Sequence, residues 1–71
     1  MERKAHQSIG KKIKKWRTEK GLTQEGLARK ADVPYTTFVK IEADVVKSPS
    51  IQTIAKIADG LEISIDQLIK E

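Results

Sequence analysis

The side chains of this sequence that could take part in chemistry are hydrogen-bonding and cationic groups, without the clusters that enzymes and metal centres use. The 71 residues include no cysteine and a single histidine, His6. A disulfide framework or a thiolate zinc site is therefore impossible, and one histidine does not make a metal centre. The sequence also lacks a glycine-rich phosphate loop and a carboxylate pair of evident function. We expect no enzyme, no cofactor and no bound metal.

Positive charge is concentrated at the start of the chain, whose formal net charge is +4. Residues 1–20 hold eight basic and two acidic residues, residues 21–47 hold four of each, and residues 48–71 hold two basic and four acidic ones. Such a distribution would orient the domain in the field of a polyanion, with lysines of the first helix nearest the phosphates. The alternative is that these lysines form an ordinary solvated face. The lysines of the predicted first helix concerned here are Lys11, Lys12, Lys14 and Lys15.

The stretch of residues 23–42, TQEGLARKADVPYTTFVKIE, predicts two short helices joined by a tight turn. Thr23 is a good N-cap for the first of them, because its hydroxyl can accept from the N–H groups of the first turn. Asp32 tolerates the left-handed conformation that such a turn requires. Pro34 is expected at the first position of the second helix, where its missing N–H is not needed.

Three further helices are predicted around this pair. Apolar spacing indicates a first helix over about residues 8–20, with Gly21 as its left-handed stop. The fourth helix should begin after Ser50 as cap and end at Gly60. Residues 64–67 have the spacing of a capping box and open the last helix.

The length allows one domain with a small core, which we assign to residues 1–71 with residues 1–7 frayed. No strand is required. The expected core members are apolar residues at helical spacing or at the helix ends: Ile9, Ile13, Trp16, Leu22, Leu27, Val33, Phe38, Ile41, Ile51, Ile54, Ile57, Leu61, Ile63, Leu68 and Ile69.

The sequence indicates a soluble, cytoplasmic protein. No apolar run approaches the roughly 20 residues of a membrane span. The first residues, MERKAHQS, lack the apolar segment of a secretory signal. The absence of cysteine suits a reducing compartment, and we expect no membrane partner.

The predicted pair of helices resembles the Cro/repressor-type (XRE-like) helix-turn-helix family of DNA-binding domains, through Gln24, Leu27-Ala28, Val33, Phe38 and Ile41-Glu42. The resemblance extends to IGKKIKKWRTEKGLTQ upstream and SPSIQTIAKIADGLEISIDQLI downstream, and so covers nearly the whole chain. It implies an all-α, five-helix, lambda-repressor-like domain with the helix-turn-helix at about 23–42. The sequence departs from the family pattern at Asp32, at Pro34 and in the loop of residues 43–46.

The resemblance implies that the third helix enters the major groove of double-stranded DNA. The residues that would read bases are Tyr35, Thr36, Val39 and Lys40, with lysine suited to guanine and Val39 to a thymine methyl. Phosphate contacts are implied for Gln24, in the first turn of the second helix, and expected for Thr23, Thr37, Lys47, Ser48, Ser50 and Arg17. Arg17 and Glu42 resemble the family's structural ion pair between the first and third helices.

These roles predict a sequence-specific transcriptional regulator, such as a small repressor, a restriction-modification controller or an antitoxin. One helix contacts only a few base pairs, so we expect a homodimer on half-sites about 34 Å apart. Its contact surface would be the last helix, with Ile63, Ile65 and Ile69, or the Val45-Val46 loop. A regulatory protein partner is compatible with this function, and no small-molecule effector site is evident.

A second hypothesis is a protein-interaction adaptor that uses the same helices. Its contact surface would be an apolar patch of Val39, Val45 and Val46. Steep salt dependence would favour DNA over this alternative. RNA binding is a weaker hypothesis, because only three residues are aromatic and two of them, Trp16 and Phe38, are expected to be buried, which leaves no stacking platform.

Overall fold

The computed structural model describes residues 8–70, so the predicted fraying of residues 1–7 lies outside the described residues. Within this range the chain forms five α-helices and no strand, which confirms the predicted all-α architecture. None of these helices combines the length and apolarity that a membrane crossing requires. The helices are α1 (Ile9–Glu19), α2 (Gln24–Ala31), α3 (Tyr35–Glu42), α4 (Ile51–Leu61) and α5 (Ile65–Ile69).

Four of the five helices begin at a hydroxyl side chain that accepts a hydrogen bond from the first turn. These N-caps are Ser8, Thr23, Ser50 and Ser64. The capping box predicted between Ser64 and Gln67 is present. Because the caps satisfy N–H groups that have no partner within their helix, they fix where each helix starts.

The third helix begins without a side-chain cap, and its predicted start is wrong by one residue. Pro34 occupies the N-cap position with φ −56° and ψ 139°, so Tyr35 is the first helical residue. The fixed φ of proline is compatible with extended backbone as well as with helix. An extended residue is needed here because the chain must turn into α3 after leaving Asp32 in the left-handed conformation, at φ 60° and ψ 44°.

The end of the fourth helix also differs from the prediction. The helix continues through Gly60 to Leu61, and Glu62 is the left-handed residue that ends it, at φ 63°. Gly60 is buried inside the helix, where a Cβ would lie 3.1 Å from both the Cβ and the backbone nitrogen of Ala31. This glycine therefore allows α4 to approach α2 closely. By contrast, Gly21 does stop α1 as predicted, with φ 72°.

The core lies where the helices converge, and it confirms most of the predicted members. Its fully buried side chains are Phe38, Ile13, Leu27, Ile41, Ile57, Leu61 and Leu68. Val33 and Ile54 are also buried, while Ile9, Trp16, Leu22 and Ile63 pack against the core partly exposed.

Two predicted core residues, Ile51 and Ile69, are exposed by 66% and 47%. Ile51 is the first residue of α4, whose buried stripe begins one turn later at Ile54. Ile69 directly follows the buried Leu68, and adjacent residues on a helix point about 100° apart. A helix as short as α5 cannot direct both side chains into the same core.

The orientation of α3 depends on a close approach between its end and the start of α1. A Cβ on Gly10 would overlap the carbonyl oxygen of Ile41 and would lie 2.8 Å from that of Glu42. Beyond α3, Asp44 has φ 66°, and its carboxylate accepts a 3.0 Å hydrogen bond from the Ser8 hydroxyl. The first turn of α1 is thus seated directly on the last turn of α3.

Candidate nucleic-acid interface

The outward side of α3 brings together the four side chains predicted to read bases. Tyr35 is 50% exposed, Thr36 and Lys40 are exposed, and Val39 is half-buried. Residues three and four positions apart share a face of a helix, and these spacings link Tyr35 to Val39 and Thr36 to both Val39 and Lys40, so the four form one continuous surface. Thr37 is half-buried at the edge of that surface.

The opposite side of α3 anchors the helix in the core. Phe38 and Ile41 are completely buried, and Val33 fills the turn before the helix. The single acidic residue of α3, Glu42, is also buried. The exposed surface of α3 therefore combines hydroxyl, apolar and cationic groups without a negative charge.

Glu42 forms a two-point ion pair with Arg17 of α1. The Arg17 Nε donates to Glu42 Oε2 at 2.7 Å, and Arg17 Nη2 donates to Oε1 at 3.2 Å. The two side chains are only 12% and 3% exposed. Arg17 Nη1 also donates to the Leu22 carbonyl at 2.8 Å. The structure thus turns Arg17 inward, and it joins α1 to the end of α3.

The same carboxylate also accepts a hydrogen bond from Gln24, for which the sequence predicts only a phosphate contact. Gln24 Nε2 donates to Glu42 Oε1 at 2.7 Å. Gln24 is the first residue of α2 and is half-buried. The two residues are 18 positions apart, and no spacing pattern in a single sequence connects them. Glu42 is therefore the point where α1, α2 and α3 are joined by hydrogen bonds.

The start of α2 leaves backbone donors available. The Thr23 hydroxyl accepts from the Gly26 N–H at 2.9 Å, and the Thr23 carbonyl accepts from the Leu27 N–H at 2.9 Å. Within residues 8–70 the N–H groups of Gln24 and Glu25 have no protein acceptor. Unpaired N–H groups at the positive end of a helix dipole are a general binding site for phosphate.

The position of Gly26 accounts for a residue that is unfavourable in the interior of a helix. A Cβ there would lie 3.0 Å from Thr23 Oγ1, the oxygen that caps α2. The missing side chain leaves room around this cap.

The loop after α3 carries the remaining residues predicted to contact phosphate. Lys47 and Ser48 are exposed. The Ser50 hydroxyl accepts from the Thr53 N–H at 3.2 Å and is hydrogen-bonded to Thr53 Oγ1 at 3.0 Å. Ser50 thus serves the start of α4, whereas the other two side chains extend from the surface.

The lysines of α1 divide into two groups. Lys11, Lys14 and Lys15 are exposed. Lys12 is half-buried, and its Nζ donates to the Ile69 carbonyl at the end of α5. A cation at this position complements the negative end of the α5 dipole, so Lys12 has a structural role.

The helices α2 and α3, joined by a turn with Asp32 in the left-handed conformation and with one side of α3 buried and the other exposed, form a helix-turn-helix. The chain belongs to the helix-turn-helix family, which it matches over residues 13–68, and the family is the XRE-like one that its motif resembled.

Comparison with known proteins gives related regulators. The HTH-type transcriptional regulator SinR of Bacillus licheniformis is 38% identical over 63 residues, which are 89% of this chain and 57% of that protein. The chain thus spans little more than half of the curated relative's length. The N-terminal DNA-binding domain of SinR from Bacillus subtilis superposes with a TM-score of 0.82 at 38% identity, covering 89% of this chain and 91% of that domain. A structure of SinR in complex with DNA gives a TM-score of 0.82 at 37% identity, over 87% of this chain and 98% of that one.

Proposed function

We propose that this chain is a sequence-specific double-stranded DNA-binding domain that acts in transcriptional regulation, with α3 inserted in the major groove. The observation that carries the proposal is the single outward surface of α3, formed by Tyr35, Thr36, Val39 and Lys40, together with the N–H groups left open at the start of α2. An α-helix fits the width of the major groove, where every base pair presents a distinct pattern of donors, acceptors and methyl groups. Relatives that are named transcriptional regulators, one of them solved with DNA, support the same function.

Each reader has a chemical role in this proposal. Lys40 suits the O6 and N7 acceptors of guanine, and Val39 suits the methyl group of thymine. Thr36 can bond to a base edge or a phosphate. Tyr35, at the start of α3, offers a hydroxyl on a half-exposed ring.

The phosphate contacts would come from both sides of α3. Gln24 and the backbone N–H groups at the start of α2 would hold one phosphate, with Thr23 and Thr37 beside it. Lys47 and Ser48 would follow the same strand, and Ser50 would contribute less because its hydroxyl caps α4. Arg17 uses three of its five N–H donors within the protein, so its main contribution would be to the scaffold.

A homodimer would supply the specificity that one short helix lacks. The exposed apolar residues that could form its contact lie at two places, Ile69 at the end of α5 and Val45 after α3, exposed by 47% and 68%. A dimer bound over a promoter would repress transcription by excluding polymerase, without a further domain. A regulatory protein partner fits the same proposal, since SinR has also been solved in complex with the protein SinI.

Selection of bound sequences from random double-stranded DNA at moderate salt tests the proposal. We expect enrichment of a two-fold motif, and an affinity for it that falls steeply as salt is added, because each neutralised phosphate releases counterions. No enrichment from a folded protein would contradict the proposal. The adaptor hypothesis, supported by the 68% exposure of Val45, would then be favoured, since an apolar protein contact depends little on salt.

A further inference from the structure

We propose that Glu42 is a positioning residue for DNA binding, because its carboxylate orders the side-chain amide of Gln24 for a phosphate contact before DNA arrives. The inference rests on the proposed function. Its observation is the 2.7 Å hydrogen bond from Gln24 Nε2 to Glu42 Oε1, at the start of the helix whose N-terminus is open. In this role Glu42 contributes to DNA affinity without touching DNA.

The carboxylate is suited to this role because it is itself immobile. Its side chain is 3% exposed, and both of its oxygens accept hydrogen bonds from Arg17, at 2.7 and 3.2 Å. Arg17 in turn is held by the Leu22 carbonyl at 2.8 Å. Gln24 is thus bound to a group fixed from α1 and α3, although it lies in the first turn of α2.

The chemistry of the amide determines which end faces the carboxylate. A glutamine amide has an amino end with two donor hydrogens and a carbonyl end that only accepts. Beside a carboxylate the amino end is favourable and the carbonyl end is not, so Glu42 selects one of the two amide orientations. One Nε2 hydrogen is used by this bond and the second is left to donate. A free glutamine would lose side-chain entropy on ordering at a phosphate, whereas this one is already ordered.

The charge of the carboxylate does not oppose a phosphate nearby. The guanidinium of Arg17 pairs with it at two points, so the pair has no net charge. Glu42 can therefore hold the amide without adding a repulsive charge to the interface. The carboxylate thus serves two purposes: it stabilises the fold through its pair with Arg17, and it orients the amide of Gln24.

A double-mutant cycle measured by DNA affinity separates these purposes. The probe is a duplex selected by the wild type, and the proteins are the wild type, Gln24→Ala, Glu42→Gln and the double variant, each shown to be folded by circular dichroism. A hydrogen bond to a charged group predicts that Gln24→Ala lowers the affinity of the wild type by about tenfold or more. In the Glu42→Gln background we expect the same change to lower it by no more than about twofold, because the single acceptor oxygen of the new side chain pairs with Arg17 and its amino end no longer favours the donating end of Gln24.

Equal losses in the two backgrounds would overturn the inference, because Glu42 would then act only through stability. If Glu42→Gln does not fold, the same cycle is made with Glu42→Asp, which keeps the charge for Arg17 but shortens the reach to Gln24. If selection with the folded wild type yields no duplex that it binds, the proposed function itself is contradicted.

A second measurement needs neither DNA nor a variant of Glu42. The two Nε2 hydrogens of Gln24 are followed by nuclear magnetic resonance in the free wild-type protein, with the exposed Gln52 of α4 as the matched control. We expect the Gln24 pair to be more widely separated in chemical shift than the Gln52 pair, and to exchange with water more slowly. Equivalent behaviour of the two glutamines would overturn the inference.

Discussion

Replacing Glu42 by alanine tests whether a buried charge holds α1, α2 and α3 together. The wild-type carboxylate accepts three hydrogen bonds, two from Arg17 and one from Gln24. The variant leaves the guanidinium, which is 12% exposed, without its counter-charge. It also leaves the Gln24 amide without its acceptor.

The burial of the pair sets the expected loss in the free energy of unfolding. Removing one partner of a buried ion pair destabilises a protein by about 3–5 kcal/mol. Arg17 retains its bond to the Leu22 carbonyl, and its exposed edge can be reached by water, so we expect a loss of about 3 kcal/mol, at the low end of that range. Domains have a total stability of roughly 0.05–0.15 kcal/mol per residue, so this is a large share for a chain of this length.

Urea unfolding followed by helical circular dichroism measures this loss. The control is Glu62→Ala, because Glu62 is 74% exposed and lies 3.5 Å from Lys30 in a surface ion pair, for which we expect a change of less than about 1 kcal/mol. Removing the buried cation as well, in Arg17→Leu with Glu42→Ala, should recover part of the stability. The reasoning is refuted if Glu42→Ala loses no more than Glu62→Ala.

Three further predictions concern the backbone and the exposed apolar residues. Gly10→Ala should lower the melting temperature, although alanine is favoured over glycine in helices by about 1 kcal/mol, because a Cβ there overlaps the backbone of α3; an unchanged or higher melting temperature would show that α1 and α3 can separate without loss. Glu62→Gly should raise the free energy of unfolding measured in urea by up to about 1 kcal/mol, since Glu62 has φ 63° and glycine adopts this conformation without strain; a decrease would indicate that the surface pair with Lys30 outweighs the strain. Ile51→Gln should change thermal stability by less than about 0.5 kcal/mol, because Ile51 is 66% exposed, and a larger loss would place Ile51 in the core.

The helix-turn-helix could be predicted from the sequence because its signals are local. Thr23 caps α2 through its own hydroxyl, and Asp32 adopts the left-handed turn that its residue type allows. Such preferences belong to one residue and its near neighbours, so they are visible before the chain is folded. The buried spacing of Phe38 and Ile41 is likewise a property of one helix.

The wrong prediction for Gly60 concerns a feature set by a second helix. Gly60 has the residue type of a helix stop, but its role is contact with Ala31, which only the packing of α4 on α2 creates. Ile51 has the right spacing for burial, yet its side chain remains largely exposed at the start of α4. The hydrogen bond between Gln24 and Glu42 could not be predicted for the same reason, since it joins two helices.

The ratio of affinities for the selected duplex and for a scrambled duplex of equal length tests most directly whether the outward surface of α3 reads sequence. The proteins are the wild type and Thr36→Ala with Lys40→Ala, both side chains being exposed. For the wild type we expect a ratio of about 1,000 or more at physiological salt. The double variant should keep most of the wild-type affinity for the scrambled duplex. Its affinity ratio should fall at least about tenfold, because a good base contact discriminates by about 1–3 kcal/mol. A ratio that is the same in both proteins would contradict base reading by α3.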